Sequence, residues 1–418
     1  MAQLSNDCFA FSGPPIPLDD IVALLGERLL AVDGSETVSL SEADGRVLAA
    51  DVIAPMSLPP FTNSAVDGYA VRHGDLSTDN ENNFHVVGRV QAGQALDVGL
   101  SPAQAFRIFT GAAIPPGADT VFMQEDTRID GMGKVVLPTG LKQGANVRTA
   151  GEDITIGQSV LGAGHRMRPQ DAAVLAALGF TEAVVRRRVR VGVISTGNEI
   201  VEPGEVRGAT QLFDSNRVML KAMLVRLGCE VTDFGLLRDD PAAIAAALKA
   251  AAASHDLILT SGGVSTGEAD YVRDAVETVG TLVFWRVAIK PGRPVAMGVI
   301  DGIPFIGLPG NPAASFVTFV TIVRPALLLL CGTPVQMPIP IPARATFSYE
   351  KKAGRREYVR ANLTRHKDGT LAVKKFRREG AGLLSSLIET DGFVVLGEDT
   401  LSVRPGQAVK FIPYSSLF

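Results

Sequence analysis

Cysteine is scarce in this 418-residue chain, where Cys8, Cys229 and Cys331 stand far apart and without metal-ligand spacing. A disulfide framework is thereby excluded, and a reducing compartment is the expectation. The five histidines, His73, His85, His165, His255 and His366, never pair at i, i+2 or i, i+4. No zinc or other transition-metal site is expected from the protein itself. An unbroken apolar run of bilayer length is also missing. The longest candidate, SFVTFVTIVRPALLLL at 315–330, carries Arg324 and Pro325 in its middle and falls short of the roughly 20 residues a span needs. A buried core helix is expected there, and no membrane association.

Basic residues do not occur before Arg28, while Asp7, Asp19 and Asp20 interrupt the apolar start. Neither a secretory signal nor a transit peptide fits, so a cytoplasmic location is expected. The net charge of −4 offers no whole-chain attraction for nucleic acid. No G-x-x-x-x-G-K-[ST] occurs, which disfavours a Walker-type NTPase, and no Ser-His-Asp or Cys-His set stands out. What remains, 46% hydrophobic and 20% charged, is ordinary globular composition, long enough for two to four domains of about 100–200 residues.

Along the chain, Ile21, Leu24, Leu25 and Leu29 have helical spacing, with Asp19 and Asp20 at the start, where the helix dipole favours acids. Residues 55–147 change character: FHVVGRV, FRIF, TVFMQ and KVVLP are short β-type runs separated by Gly, Pro and Asn turns. Helical signals return in RPQDAAVLAALGF, with Pro169 suited to a first turn and Gly179 to a C-terminal stop. The chain therefore leaves one elongated unit, builds a β module, and returns. The arginines of VVRRRVR at 184–190 alternate with valine and read as a domain junction whose solvated strand face holds the charge. From Val189 to Gly332 strands and helices alternate, which implies right-handed βαβ units and a largely parallel sheet. The expected division is a discontinuous unit over 15–54 and 148–186, an inserted β-rich unit over 55–147, an α/β unit over 187–336 and a β unit over 337–418. The last of these holds 14 Lys plus Arg against 8 Asp plus Glu.

Ligands of open α/β sheets sit outside the carboxyl ends of the strands. STGNE, RDDP, TSGGVSTGEAD and GLPGNP all follow such ends and should meet on one edge. Gly262 and Gly263 expose backbone N–H groups suited to phosphate, and Gly197, Gly310 and Asn311 offer similar access. Facing them are Glu199, Asp239, Asp240, Glu268 and Asp270. Five carboxylates would repel a bare anion, whereas Mg²⁺ held by one or two of them and by phosphate oxygens reconciles both sets. Asp240, before Pro241, is expected to cap a helix, and Glu268 to stabilise a helix start. Glu199 and Asp270 are the candidate metal ligands. Lys290 and Arg293 in IKPGRP stand where two cations can clasp one polyanion.

PPFTNSAVDGYAV, IFTGAAIPPGADTVFMQED, AGEDI, STGNE, DSNRVML, SGGVSTGEADYV, IKPGRP and GLPGNP, in this order, resemble the MoeA family of molybdopterin molybdenumtransferases from about residue 15 to the end. The resemblance implies an elongated, dimerising subunit with an α/β domain like that of molybdopterin adenylyltransferases and a β-barrel-like C-terminal domain. It implies a transferase reaction in which adenylylated molybdopterin and molybdate give molybdenum cofactor and AMP with Mg²⁺ assistance. The positions it marks are Asp67, Thr110, Asp153, Glu199, Asp239, Asp270, Lys290, Arg293, Pro309, Pro312, Arg355, Arg360 and the Ser385–Ser386 pair, together with substrate contacts from Gly262, Gly263, Ser265 and Asn311. Asp67 and Thr110 would then act across a homodimer interface, and a molybdopterin adenylyltransferase is an expected transient partner. Two departures are Asn198, where many relatives have Asp, and Arg293, where many have Lys. Adenylyl transfer from ATP to molybdopterin is the alternative enzyme reading, and a scaffold module the reading from another class.

Overall fold

The computed structural model of the chain describes residues 15–94, 97–262 and 271–418. Its N-terminal part is an out-and-back ribbon. Ser35–Ser39 pairs antiparallel with Glu182–Arg186, Val52–Ile53 with Ser159–Leu161, and Asn63–Ser64 with Val147–Arg148. Single bridges join Val47 to Arg166 and Leu58 to Ile154 between them. At the near end the helix Pro169–Ala177 begins on Pro169 and stops before Gly179, whose φ of +88° suits a glycine. At the far end the β-type runs form a six-stranded sheet in the order Thr120–Met123, Gly68–Val71, Gln104–Ile108, Asn82–Val90, Val135–Leu137, Arg128–Ile129. Phe84, Phe122 and Val135 pack in one buried cluster of this module, and Val90, Ile108 and Val121 in another, as period-two strands require.

The α/β region has a six-stranded sheet in the order Glu230–Leu237, Arg190–Thr196, Leu257–Ser261, Ile303–Leu308, Pro294–Ile300, Gly280–Arg286. The first four strands are parallel; Pro294–Ile300 is antiparallel to both its neighbours, so Gly280–Arg286 again runs in the direction of the first four. The antiparallel edge follows from Asp301 and Gly302, both at positive φ, which turn the chain in a two-residue hairpin and leave no room for a crossover. Val191, Val193 and Leu259 face one core with the helix Ser215–Arg226, the helix Leu18–Arg28 and the apolar helix Pro312–Leu330. Ile194 and Ile258 face the other core, with Pro241–Ala252 and Tyr271–Val279. Each fully buried Leu or Ile on these faces contributes roughly 1.5–3 kcal/mol. Asp214 and Asp240 cap their helices, accepting from Arg217 N–H at 3.1 Å and Ala242 N–H at 2.9 Å.

The helix Pro312–Leu330 has the length and hydropathy of a membrane span, yet 89% of its apolar window is buried inside the protein, so it is a core helix. Pro325 cannot donate to the carbonyl four residues back, and the helix widens to a π turn over Phe319–Val323 just before it. The arginines around 186–190 are partly exposed, and two of them are ion-paired. Arg187 forks onto the buried carboxylate of Asp256 at 2.6 and 2.8 Å, and Arg190 reaches it with its N–H at 2.8 Å and its guanidinium at 3.2 Å. A buried acid 66 residues away draws these charges inward.

At the C terminus, Arg356–Arg365, Leu371–Lys375, Ile341–Ala345, Ala408–Pro413 and Gly392–Leu396 close on themselves as a five-stranded barrel. Ile289–Lys290 runs parallel to Arg356–Glu357 along its side. This pairing carries Lys290 out of the α/β region and onto the barrel.

Candidate functional site

At the carboxyl edge of the parallel strands the expected loops meet. Gly262 donates its N–H to the Leu308 carbonyl at 3.2 Å, and a Cβ on Gly262 would lie 2.8 Å from the Thr196 carbonyl oxygen. Its φ of +90° adds a second reason for glycine. A Cβ on Gly310 would stand 3.9 Å from the Gly262 Cα. Buried Asn216 ties the edge from below, donating to Ser261 Oγ at 3.0 Å and to the Gly310 carbonyl at 2.8 Å. Asn198 and Asp239 lock reciprocally: the Asn198 N–H donates to Asp239 Oδ2 at 3.0 Å and the Asp239 N–H to Asn198 Oδ1 at 3.3 Å. The Glu199 carboxylate lies against Gly197, is exposed, and has no hydrogen-bond or ion-pair partner among the described residues. Gly263, Ser265, Glu268 and Asp270 lie outside the described residues.

Beside this edge a cavity of about 290 Å³ opens between the α/β region and the barrel, and Pro309 and Asn311 line both. Lys290 Nζ donates to the Tyr349 hydroxyl at 3.0 Å, which donates to Glu357 Oε2 at 2.7 Å. Glu357, 1% exposed, also accepts Arg355 Nε at 2.8 Å. Burial and the hydrogen bond to Glu357 push the Tyr349 phenol well above its ordinary value, so it stays a donor. Lys290 and Lys375 stand 5.6 and 5.7 Å from the centre of the Tyr349 ring, within cation–π reach. Arg360 faces the same space. It gives one N–H to the Gly380 carbonyl at 2.9 Å, while its buried Nε has no partner among the described residues. Burial lowers its pKa. A buried guanidinium with an unused donor, beside two lysines, suits a small oxyanion.

The remaining expected residues are spread. Of the expected clasp, Lys290 lines the cavity, whereas Arg293 is exposed and does not line it. The Lys290 side chain follows its barrel strand, whereas the Arg293 carbonyl is held by Val287 N–H at 2.9 Å. Pro312 opens the apolar helix. Ser385 is exposed at the start of a short helix, whereas the neighbouring Ser386 is buried with its hydroxyl on the Leu383 carbonyl. In the β module Asp67 Oδ1 accepts both the N–H and the hydroxyl of Thr110, at 2.8 and 2.7 Å. These two bonds, N–H first, hold its carboxyl below the usual range. Asp153 is exposed on the ribbon, its N–H on the Leu58 carbonyl at 3.1 Å.

Three family models cover the chain in order: the MoeA N-terminal region, domains I and II, over residues 16–179; a probable molybdopterin binding domain over 192–328; and the MoeA C-terminal region, domain IV, over 342–414. A molybdopterin molybdenumtransferase of Haemophilus influenzae is 38% identical, with 96% of this chain and 99% of that protein aligned. The chain belongs to the MoeA family. Molybdopterin molybdenumtransferase 2 of Mycobacterium tuberculosis is 37% identical over 90% of this chain and 94% of its own length. The crystal structure of a molybdopterin biosynthesis MoeA protein from Pyrococcus horikoshii superposes with a TM-score of 0.82, at 30% identity, covering 96% of this chain and all of that one.

Within this MoeA chain, Asn198 keeps its loop tied to Asp239 without adding a charge beside Glu199. Tyr349, Glu357 and Lys375 escaped the sequence reading. Their alternation within β runs was visible, but nothing local says that Lys290 would be laid in register with Glu357. Among the described residues no three His, Cys, Asp or Glu side chains cluster to cage a metal. One free carboxylate, Glu199, at a glycine-lined edge does fit the way Mg²⁺ is usually held, by one or two carboxylates with phosphate oxygens and water supplying the rest.

Proposed function

We propose that this chain is a molybdopterin molybdenumtransferase that inserts molybdenum from molybdate into adenylylated molybdopterin, releasing AMP and giving molybdenum cofactor. Its membership of the MoeA family supports the transferase activity. The observation that carries the reading of the site is the continuity between the glycine edge and the cationic cavity through Pro309–Asn311. The edge, with Gly262, Gly310 and Asn311, would take the pyrophosphate of the adenylylated pterin on backbone N–H groups. Lys290, Lys375 and Arg360 would take the tetrahedral oxyanion, Lys290 kept in place by Tyr349 and Glu357. Glu199, with Asp270, would hold Mg²⁺, which supplies charge neutralisation at the anhydride. As AMP departs, the cations of the cavity would offset the negative charge that develops, and the pterin dithiolene would capture molybdenum. No protein thiol is needed. Burial pushes Cys331 up to about 11 and Cys229 still higher, so both remain thiols.

We further propose a cytoplasmic homodimer in which the Asp67–Thr110 pair of one protomer faces the α/β region of its partner. The placement of that pair at the far end of the ribbon supports this. Incubating the protein with adenylylated molybdopterin and Mg²⁺, then following AMP by chromatography, tests the activity. AMP release stimulated by molybdate is expected, with the Mg²⁺ dependence weakened in Glu199→Gln. Release indifferent to molybdate, or pyrophosphate formation from ATP and molybdopterin, would overturn the reading.

A further inference from the structure

The junction arginines lead to a second, unassigned feature. Arg188 stands just before the strand Arg190–Thr196, so it marks the amino edge of the sheet, opposite the loops of Gly197 and Gly262. There a cleft separates the ribbon from the α/β region, with two adjoining lobes of about 450 and 620 Å³ that share Arg166, Arg168 and Gln336. Arg324 lines the first lobe, and Arg188 and Arg226 line the second.

Four of these arginines, Arg166, Arg188, Arg226 and Arg324, form no ion pair with any described carboxylate. Arg324 is 8% exposed and spends its donors on carbonyls, Nε on Leu417 at 2.8 Å and a terminal nitrogen on Gln336 at 2.9 Å. Burial lowers its pKa, and the charge of Arg166 lowers it further. Arg188 bonds the Gly228 carbonyl at 3.0 Å, and Arg166 the Gly45 carbonyl at 3.3 Å. Close by, Arg186 has a buried Nε with no partner among the described residues. The acids of the cleft do not balance this set. Asp171 is occupied by Arg168 at 2.9 Å and His165 at 2.7 Å, which leaves exposed Asp44 on the rim and the main-chain carboxylate of Phe418 in the second lobe.

The carboxyl ends of the helices Ser215–Arg226 and Pro312–Leu330 also arrive here, and each offers about half a negative charge. Together with Asp44 and the Phe418 carboxylate they still fall short of the four guanidiniums that line the two lobes. A buried cation without a counter-ion costs several kcal/mol unless something anionic joins it.

We propose that this cleft is an anion site for a diphosphate group, held between Arg166 of the ribbon and Arg188 and Arg324 of the α/β region. Guanidinium forks match phosphate oxygens in pairs. A ligand there would add a bridge between two parts of the chain that already touch at Gly164 and Gly332, and so fasten the base of the ribbon.

Calorimetric titration of the full-length chain with pyrophosphate, without Mg²⁺, tests the proposal, with ADP as a second titrant. The Arg166→Gln/Arg188→Gln double variant is expected to weaken pyrophosphate binding by about tenfold or more, given the strength of charge-assisted pairs. Arg226→Gln, an exposed position that serves if the double variant folds poorly, should weaken it by about threefold. Lys249→Ala, an exposed position on the helix Pro241–Ala252 that lines neither cavity nor cleft, should leave it unchanged. Equal response to pyrophosphate and ADP supports a nucleotide as the source of the diphosphate, and response to pyrophosphate alone supports the free ion. No binding by the parent chain, or binding lost in Lys290→Ala and kept in the arginine variants, overturns the proposal. So does a double variant that changes the sedimentation of the chain and not its titration, since the arginines would then serve contacts between copies.

Discussion

Replacing Glu357 by Gln preserves shape and removes one charge from the hub beneath the cavity. Three groups converge on that carboxylate: Arg355 at 2.7 Å, the Tyr349 hydroxyl at 2.7 Å and Lys290 at 3.4 Å. Breaking a buried ion pair from one side costs about 3–5 kcal/mol. The side chains of Arg355 and Lys290 are 26% and 41% exposed, so water recovers part of the loss and about 1.5–3 kcal/mol is expected. That corresponds to a fall in thermal midpoint on the order of 3–8 °C. The functional effect should be larger in one respect. The Gln amide oxygen can still accept from Tyr349, but Lys290 loses the buried counter-charge and keeps only the Tyr349 hydroxyl and the more distant Glu379, so the molybdate concentration for half-maximal AMP release should rise by about tenfold, or 1.4 kcal/mol. Tyr349→Phe keeps the ring beneath both lysines and removes the two hydrogen bonds, and should fall between parent and Glu357→Gln. Differential scanning calorimetry and AMP release against molybdate concentration read both effects. A midpoint within about one degree of the parent, with an unaltered molybdate response, would refute the idea that Glu357 positions the lysine.

Two further predictions follow from the same geometry. Gly262→Ala puts a Cβ 2.8 Å from the Thr196 carbonyl at a φ of +90°; a cost of about 1–3 kcal/mol is expected, read as lower AMP release with only a small change in far-UV circular dichroism. Asp256→Asn leaves Arg187 and Arg190 unpaired at the junction. Burial opposes ionisation of Asp256, but the arginine hydrogen bonds outweigh it and hold the carboxyl below its ordinary value. Its contribution is therefore fully present above about pH 4 and is lost as pH falls through the folded-state value. Urea midpoints of parent and variant should differ by an amount equivalent to about 2–4 kcal/mol at neutral pH, with the gap narrowing in acid; a gap equally wide at both ends would count against the pair.

The parts of the fold that were legible in the sequence are those set by neighbours in the chain. Asp240 before Pro241 caps as expected, Gly179 stops its helix, and alternating strands and helices give the parallel sheet with its loops on one edge. Asp301–Gly302 carried an equally local signal for a hairpin, and it explains why the sheet ends antiparallel. What sequence could not supply is partner choice over distance. Arg187 and Asp256 are 69 residues apart, and Lys290 meets Tyr349 across 59. For such pairs the spacing of charges in the chain says nothing about which neighbour the folded strand will present, so the contact of Lys290 with Tyr349 could not be read from IKPGRP.

The out-and-back ribbon behaves as a ruler. Its two strands are tied at three short paired stretches and single bridges between them, so the distance from the α/β region to the Asp67–Thr110 pair is set by how many residues lie between those ties. Because side chains alternate faces, the ruler is graduated in units of two residues, about 6.6 Å each. Removing two facing residues from each strand would draw the far module inward by one graduation with its orientation kept. Removing one from each would turn the whole module to face the other way.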